Sequence, residues 1–141
     1  MANIRPATQN DAAVIKKMVW DAGLDPTSLD WRHFLLAENE HAQIVGIGQI
    51  KEYPGCQELG SLVVLRAYRG QGIASALIAA LEARAARPLY LLCQDRMMPY
   101  YRRFGYQQIG YWDAPPFLRL KLLIPLLFHL FGVRVVVMRK A

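Results

Sequence analysis

The run Arg69-Gly70-Gln71-Gly72-Ile73-Ala74 is the part of this 141-residue sequence best suited to chemistry. Before it, Leu62-Val63-Val64-Leu65 is β-prone; after it, Ile73, Leu77 and Leu81 recur at helical spacing. The glycines therefore sit at a strand-to-helix junction. There the first backbone N–H groups lack intrahelical partners and the helix dipole is positive, so a phosphate can be held with little side-chain help. Gly70 and Gly72 let the backbone approach such an anion closely. A dinucleotide-binding enzyme is a weaker reading of the same run. Ser75 stands where its third glycine belongs, a Leu65-to-Tyr68 connector separates strand from glycines, and three strand-like segments precede the unit. A Walker loop is excluded by the missing Gly-Lys-Ser/Thr ending.

Other chemistries find little purchase. His33, His41 and His129 form no cluster, and Cys56 and Cys93 make no Cys-x-x-Cys pair, so no metal is expected. Ser61 and Ser75 lack a nucleophile-elbow context. Cys93 is predicted to be buried on a strand, where a thiol is inert, which argues against a covalent intermediate on that thiol. The formal charge of +6 suits an anionic ligand. The basic residues are scattered, however, with no pattern of a nucleic-acid-binding module, and no nucleic-acid partner is expected. With two unpaired cysteines and no apolar leader at the start, the expected location is the cytoplasm.

The elements that must position the junction follow from periodicity and breakers. A strand is predicted over Ile4 to Thr8, a helix over Ala12 to Asp21 capped by Gln9-Asn10-Asp11, and a second helix over Leu29 to Leu36. Gln43 to Gln49 and Ile50 to Tyr53 read as two antiparallel strands, and Glu58 to Leu65 as the next. A helix from Gly72 to Arg87 stops before Pro88, Leu89 to Cys93 is a buried strand, and a short helix from Met97 to Phe104 ends at Gly105. Tyr106 to Tyr111 and Val133 to Met138 complete the strands. Between them, Pro115 to Phe131 reads as an apolar helix broken near Pro125 and ended by Gly132. Arg119 and Lys121 interrupt it, so a transmembrane span is not expected; it packs on the domain, makes a peripheral apolar contact or joins two copies as a homodimer. At this length one domain over residues 1–141 is expected.

Over most of its length the chain resembles the GNAT superfamily of acyl-coenzyme A-dependent N-acyltransferases. The family signature, Arg or Gln, two residues, Gly, one residue, then Gly or Ala, is met in full by Arg69-Gly70-Gln71-Gly72-Ile73-Ala74. The resemblance implies an α+β fold, a twisted mixed sheet of about seven strands flanked by helices, here with the extra apolar helix before the last strand. It implies acetyl-coenzyme A as co-substrate, its pyrophosphate held by Arg69, Gly70, Gln71, Gly72, Ile73, Ala74 and Ser75. The pantetheine arm would pair with the strand at Leu62, Val63 and Val64 like an added strand.

Tyr101-Arg102-Arg103-Phe104-Gly105-Tyr106 is similar to a second family pattern, with Tyr106 replacing its phenylalanine. This implies that Tyr101 protonates the departing thiolate, as a phenol neutral at pH 7 can; adjacent Tyr100 is the expected core residue. Gln94 and Met97 depart from the family's Asn and Ala, leaving Gln94 as a coenzyme ligand with a longer reach. Glu58 sits about where several members place a general base for the amine, with Asp113 and Glu52 as further candidates. The implied activity is acetyl transfer to a primary amine of a small molecule or protein by direct attack in a ternary complex. The alternative is a coenzyme-binding regulatory module without turnover.

Overall fold

The computed structural model describes residues 2–123, 132 and 134–141. Seven strands form a mixed sheet flanked by helices, an α+β fold. The chain packs as two compact units, Met1–Lys51 with Leu59–Ala85, and Glu52–Glu58 with Ala86–Ala141.

In the first unit, β1 (Asn3–Pro6), β2 (Phe34–Glu38), β3 (Ile44–Tyr53) and β4 (Cys56–Val64) lie in that order, the last two running on into the second unit. Helix α1 (Ala12–Asp21) packs Ile15, Met18 and Val19 against Phe34, Leu36, Ile47 and Val63. The alternate strand positions face α2 (Ile73–Glu82): a Cβ added at Gly46 would lie 3.1 Å from both Ile73 Cγ2 and Leu77 Cδ1, and one at Gly48 would lie 2.8 Å from Leu81 Cδ1. The two glycines let α2, and the loop that starts it, seat directly on β3. Asp11 anchors the opening of α1, accepting the Thr8 N–H at 2.7 Å and a forked pair from Arg5 at 2.9 and 3.0 Å.

In the second unit, β7 (Val135–Lys140) lies between β5 (Leu89–Gln94) and β6 (Gln107–Ile109), antiparallel to both. Helix α3 (Met98–Arg102) connects β5 to β6. Helix α4 (Pro116–Lys121) buries Leu118 in a cluster with Tyr90, Ala114, Leu122 and Val137.

Several expected elements differ. The helix expected over Leu29 to Leu36 is a 3-10 turn, Trp31–His33, followed by strand β2. Phe34 to Ala37 are all buried between β1 and β3, and a run buried on both faces has no period to separate strand from helix. The two strands expected over Gln43 to Tyr53 are the single strand β3: no turn residue interrupts it, and it is buried continuously from Val45 to Lys51. Helix α2 ends at Glu82, short of Arg87. Of the helix expected over Pro115 to Phe131, the described residues show α4, Pro116–Lys121, with its C-cap at Leu122; the part from Ile124, with the break near Pro125, lies outside the described residues. The antiparallel pairing of β1, β2 and β3 is not the parallel sheet of a dinucleotide-binding fold. No helix among the described residues is long and apolar enough to cross a membrane.

Candidate active site

The first unit holds the glycine loop. Gly70 and Gly72 adopt left-handed backbone angles, φ +78° and +81°, and Gly72 is the N-cap of α2. Nothing lies within 4 Å of a Cβ built on either, so the loop is open on that side. The first turn of α2 closes from the Ala76 N–H to the Gly72 carbonyl at 3.0 Å, leaving the Ile73, Ala74 and Ser75 amides ahead of it in the position that binds anions. Ile73 buries its side chain beneath the helix and so offers only that amide, whereas Arg69, Gln71 and Ser75 are exposed. Arg69 also does local work: its Nε donates to the Val64 carbonyl at 3.0 Å, tying the end of β4 to the loop. Of the strand residues, Val63 turns into the α1 core, while Leu62 and Val64 are partly exposed.

Just before them stands a feature not legible in the sequence. Ser61 is buried with φ +53°, a left-handed residue inside a strand, and its Oγ accepts from Gln49 Nε2 at 2.9 Å. Gln49 is fully buried and also donates to the Ser28 carbonyl at 3.1 Å. Such a residue redirects the backbone groups that follow it, here those of Leu62 to Val64.

The second unit holds the acid and base candidates. Glu58 is only 4% exposed, and its Oε1 accepts from Lys121 Nζ at 2.8 Å and from the Tyr53 hydroxyl at 3.0 Å. Lys121 Nζ also donates to the Tyr53 hydroxyl at 2.7 Å, closing a triangle. Phe117, one helical turn before Lys121, stacks on the Tyr53 ring at 4.5 Å and 22°. Burial pushes the Tyr53 phenol up to about 12, with the Glu58 charge adding to it. Burial alone would lower Lys121, but the Glu58 carboxylate outweighs it and holds the ammonium well above the usual lysine range. Cys56, also near Glu58, is raised chiefly by burial. Lys121 had only interrupted an apolar stretch in the sequence; a lysine in such a stretch is the signal of a buried partner.

Tyr101 is partly buried on α3, its phenol raised to about 12 chiefly by desolvation, so it keeps its proton at neutral pH. It meets the Tyr106 ring edge-on at 6.3 Å. Tyr106, 1% exposed, is the core aromatic here, and the expectation for Tyr100 is corrected: Tyr100 is only partly buried, tilted on Tyr101 and edge-on to Phe104. Gln94 is exposed at the end of β5, its Oε1 accepting from Arg96 Nε at 2.8 Å. Cys93 is half-buried rather than buried, because it lies near the open end of β5; burial still raises its thiol to about 11, and it contacts Met138 Sδ at 3.8 Å. Glu52 is exposed and bonded to Gln57, and Asp113 is exposed as the last residue of a 3-10 turn, Tyr111–Asp113. Glu58, Gln94 and Tyr101 thus share one unit, and Arg69 to Ser75 with Leu62 to Val64 the other.

A mixed seven-stranded sheet with a glycine loop at the start of a helix can present backbone amides to an anion. The model of the acetyltransferase (GNAT) family matches residues 6–106, and the chain belongs to that family. Among solved structures it is similar to N-acetylglutamate synthase from Neisseria gonorrhoeae complexed with coenzyme A and N-acetyl-glutamate, at 16% identity and a TM-score of 0.80 over 99% of this chain. It spans only 35% of that protein, about a third of its length. Rv2747 from Mycobacterium tuberculosis, in a complex that includes coenzyme A, matches at 17% identity and a TM-score of 0.77, over 99% of this chain and 98% of that one. A candidate acyl-CoA N-acyltransferase from Klebsiella pneumoniae matches at 25% identity and a TM-score of 0.65, over 99% and 97%. Comparison with curated protein sequences finds no match.

Proposed function

We propose that residues 1–141 act as one N-acetyltransferase domain that transfers the acetyl group of acetyl-coenzyme A to a primary amine of a small molecule or protein. The observation that carries this is the complete coenzyme signature Arg69-Gly70-Gln71-Gly72-Ile73-Ala74, with both glycines left-handed at the start of α2. The co-substrate supplies the acyl group as a thioester. A backbone N–H near Val64 polarises its carbonyl oxygen, the neutral amine attacks the carbonyl carbon, and Tyr101 gives its proton to the leaving thiolate. Glu58 takes the proton the amine must lose. That step has a structural cost, since a proton on Glu58 dismantles its ion pair with Lys121.

The same ion pair favours a second reading, a coenzyme-binding regulatory module without turnover. Purified protein given acetyl-coenzyme A and a panel of amines separates the two. Release of free thiol with matching acetylated amine supports the transferase; coenzyme binding without thiol release across the panel selects the module. Propionyl- and longer acyl-coenzyme A in parallel reactions test the acetyl preference.

A further inference from the structure

Helix α1 covers Ile47 of β3 and Val63 of β4 with apolar side chains, and it ends at Asp21. Two and four residues after Ile47, the same face of β3 carries Gln49 and Lys51, both buried, and these meet the loop of residues 25–28. A loop lying on a strand brings backbone carbonyls that need donors. Lys51 Nζ donates to the Thr27 carbonyl at 3.4 Å and pairs with Asp25 Oδ2 at 3.3 Å, and Gln49 Nε2 donates to the Ser28 carbonyl at 3.1 Å. The other proton of Nε2 goes across to β4, to Ser61 Oγ at 2.9 Å. Because a carbonyl only accepts, Nε2 and not Oε1 must face Ser28. Gln49 Oε1 is left without a partner among the described residues, a cost to folding that a methionine of similar length would not carry. All of these residues lie in the first unit.

Among the described residues, three that are not glycine have left-handed angles: Ser28 at φ +57°, Ala42 at +59° and Ser61 at +53°. Two of the three meet the same Gln49 nitrogen. A serine keeps such an angle only where its surroundings impose it, and Ser61 does so inside a strand. The segment after it is anchored at its far end as well. There the Leu65 N–H donates to the Val45 carbonyl at 2.9 Å and Arg69 Nε to the Val64 carbonyl at 3.0 Å. We propose that Gln49 is a positioning residue for acyl transfer: by holding Ser61 left-handed, it aims a backbone N–H of residues 62–64 at the thioester carbonyl. This rests on the N-acetyltransferase reading of the chain. A strand residue with ordinary angles directs the amides that follow it into the sheet ladder, where pairing consumes them. A left-handed residue breaks that alternation, which lets an N–H leave the ladder. A donor of this kind is effective only when it is oriented before the reaction, so the clamp acts on rate and on the bound carbonyl. The glycine loop of residues 69–75 lies beyond the Leu65 anchor, so coenzyme affinity does not depend on Gln49.

The probe is acetyl-coenzyme A isotope-labelled at its thioester carbonyl, and the readout is the infrared band of that carbonyl in the bound state. In the wild-type protein the band should lie below its position in water. In Gln49→Met it should move back to that position, with coenzyme A affinity by calorimetry unchanged. Combining Gln49→Met with Ser61→Gly should restore the lowered band, since glycine takes the left-handed angle without a clamp. With an amine that supports thiol release, kcat should follow the band, falling about a hundredfold in Gln49→Met, the scale of one lost oxyanion donor, and recovering in the double variant. Should Gln49→Met fail to fold, judged by circular dichroism, Ser61→Ala must lose the lowered band and Ser61→Gly must keep it. A merely structural Gln49 would lower the urea midpoint and leave the band in place, and that result overturns the proposal. So does a wild-type band at or above its position in water, or a double variant that binds coenzyme A without regaining the lowered band. Thiol release keeps the two failures apart: a lowered band with no release to any amine defeats the transferase reading alone, and release with an unshifted band defeats the positioning role alone.

Discussion

Replacing Gly46 by valine tests how the glycine loop at the start of α2 is held. The first carbon added would lie 3.1 Å from Ile73 Cγ2 and from Leu77 Cδ1, and 3.4 Å from the Ala37 Cβ. Ile73 and Leu77 are 6% and 0% exposed, so neither has solvent to yield into, and valine adds two more carbons to the same space. Overpacking of this kind costs about 1–3 kcal/mol. Removing a glycine from a strand interior returns about 0.5–1 kcal/mol. The expected balance is a loss centred near about 1 kcal/mol and at most about 2.5 kcal/mol. Ile73 is the residue next to Gly72, so the displacement also reaches the loop amides, and coenzyme affinity should weaken with stability. Urea unfolding gives the first quantity and calorimetric titration with coenzyme A the second. A Gly46→Val protein with the wild-type urea midpoint and coenzyme affinity would refute the seating of α2 on β3.

Three further outcomes follow from the same geometry. Gly72→Glu should weaken coenzyme A binding by about a hundredfold or more, because it brings a negative charge to the helix start, while Gly72→Asn, which tolerates the left-handed angle, should stay within about tenfold; equal losses would show that backbone strain rather than charge decides. Tyr101→Phe should lower kcat by about a hundredfold with coenzyme affinity unchanged. Because the phenol is raised to about 12, rate profiles should show no loss from its ionisation below about pH 11, and an alkaline decline near pH 10 that vanishes in Tyr101→Phe would contradict this. Asp11 is held down at about 2, first by the Arg5 hydrogen bond, so its stabilisation is complete above the unfolded value of 3.8 and lost as pH falls through about 2. Asp11→Asn should cost about 2 kcal/mol at neutral pH and flatten the dependence of the urea midpoint between about pH 5 and 2.

The glycine loop was legible because its information is local. Two glycines between a β-prone run and a helical period specify a left-handed turn at a helix start, and the left-handed angles of Gly70 and Gly72 meet that specification. Helix α1 was legible for a similar reason, its boundaries set by caps and a one-sided apolar stripe. Strand β2 was not. Phe34 to Ala37 pack on both sides, so the alternation that marks a strand is erased and only the neighbouring strands determine its state. Gly46 and Gly48 likewise look like weak points in a strand, and become close-approach positions only against a helix about 30 residues later in the chain.

The sequence by itself determined the family, the left-handed glycine loop and the presence of Glu58 and Tyr101 at their positions, since each is carried by residues a few places apart. Tertiary structure decided what those residues meet. Glu58 and Lys121 are 63 residues apart in the chain and 2.8 Å apart in space, a pairing that no periodicity or composition encodes. The left-handed Ser61, held by Gln49, is of the same kind. Local propensity would place both Ser61 and Lys121 elsewhere, and they persist because burial leaves a charge or a strained backbone no cheaper arrangement than the partner beside it.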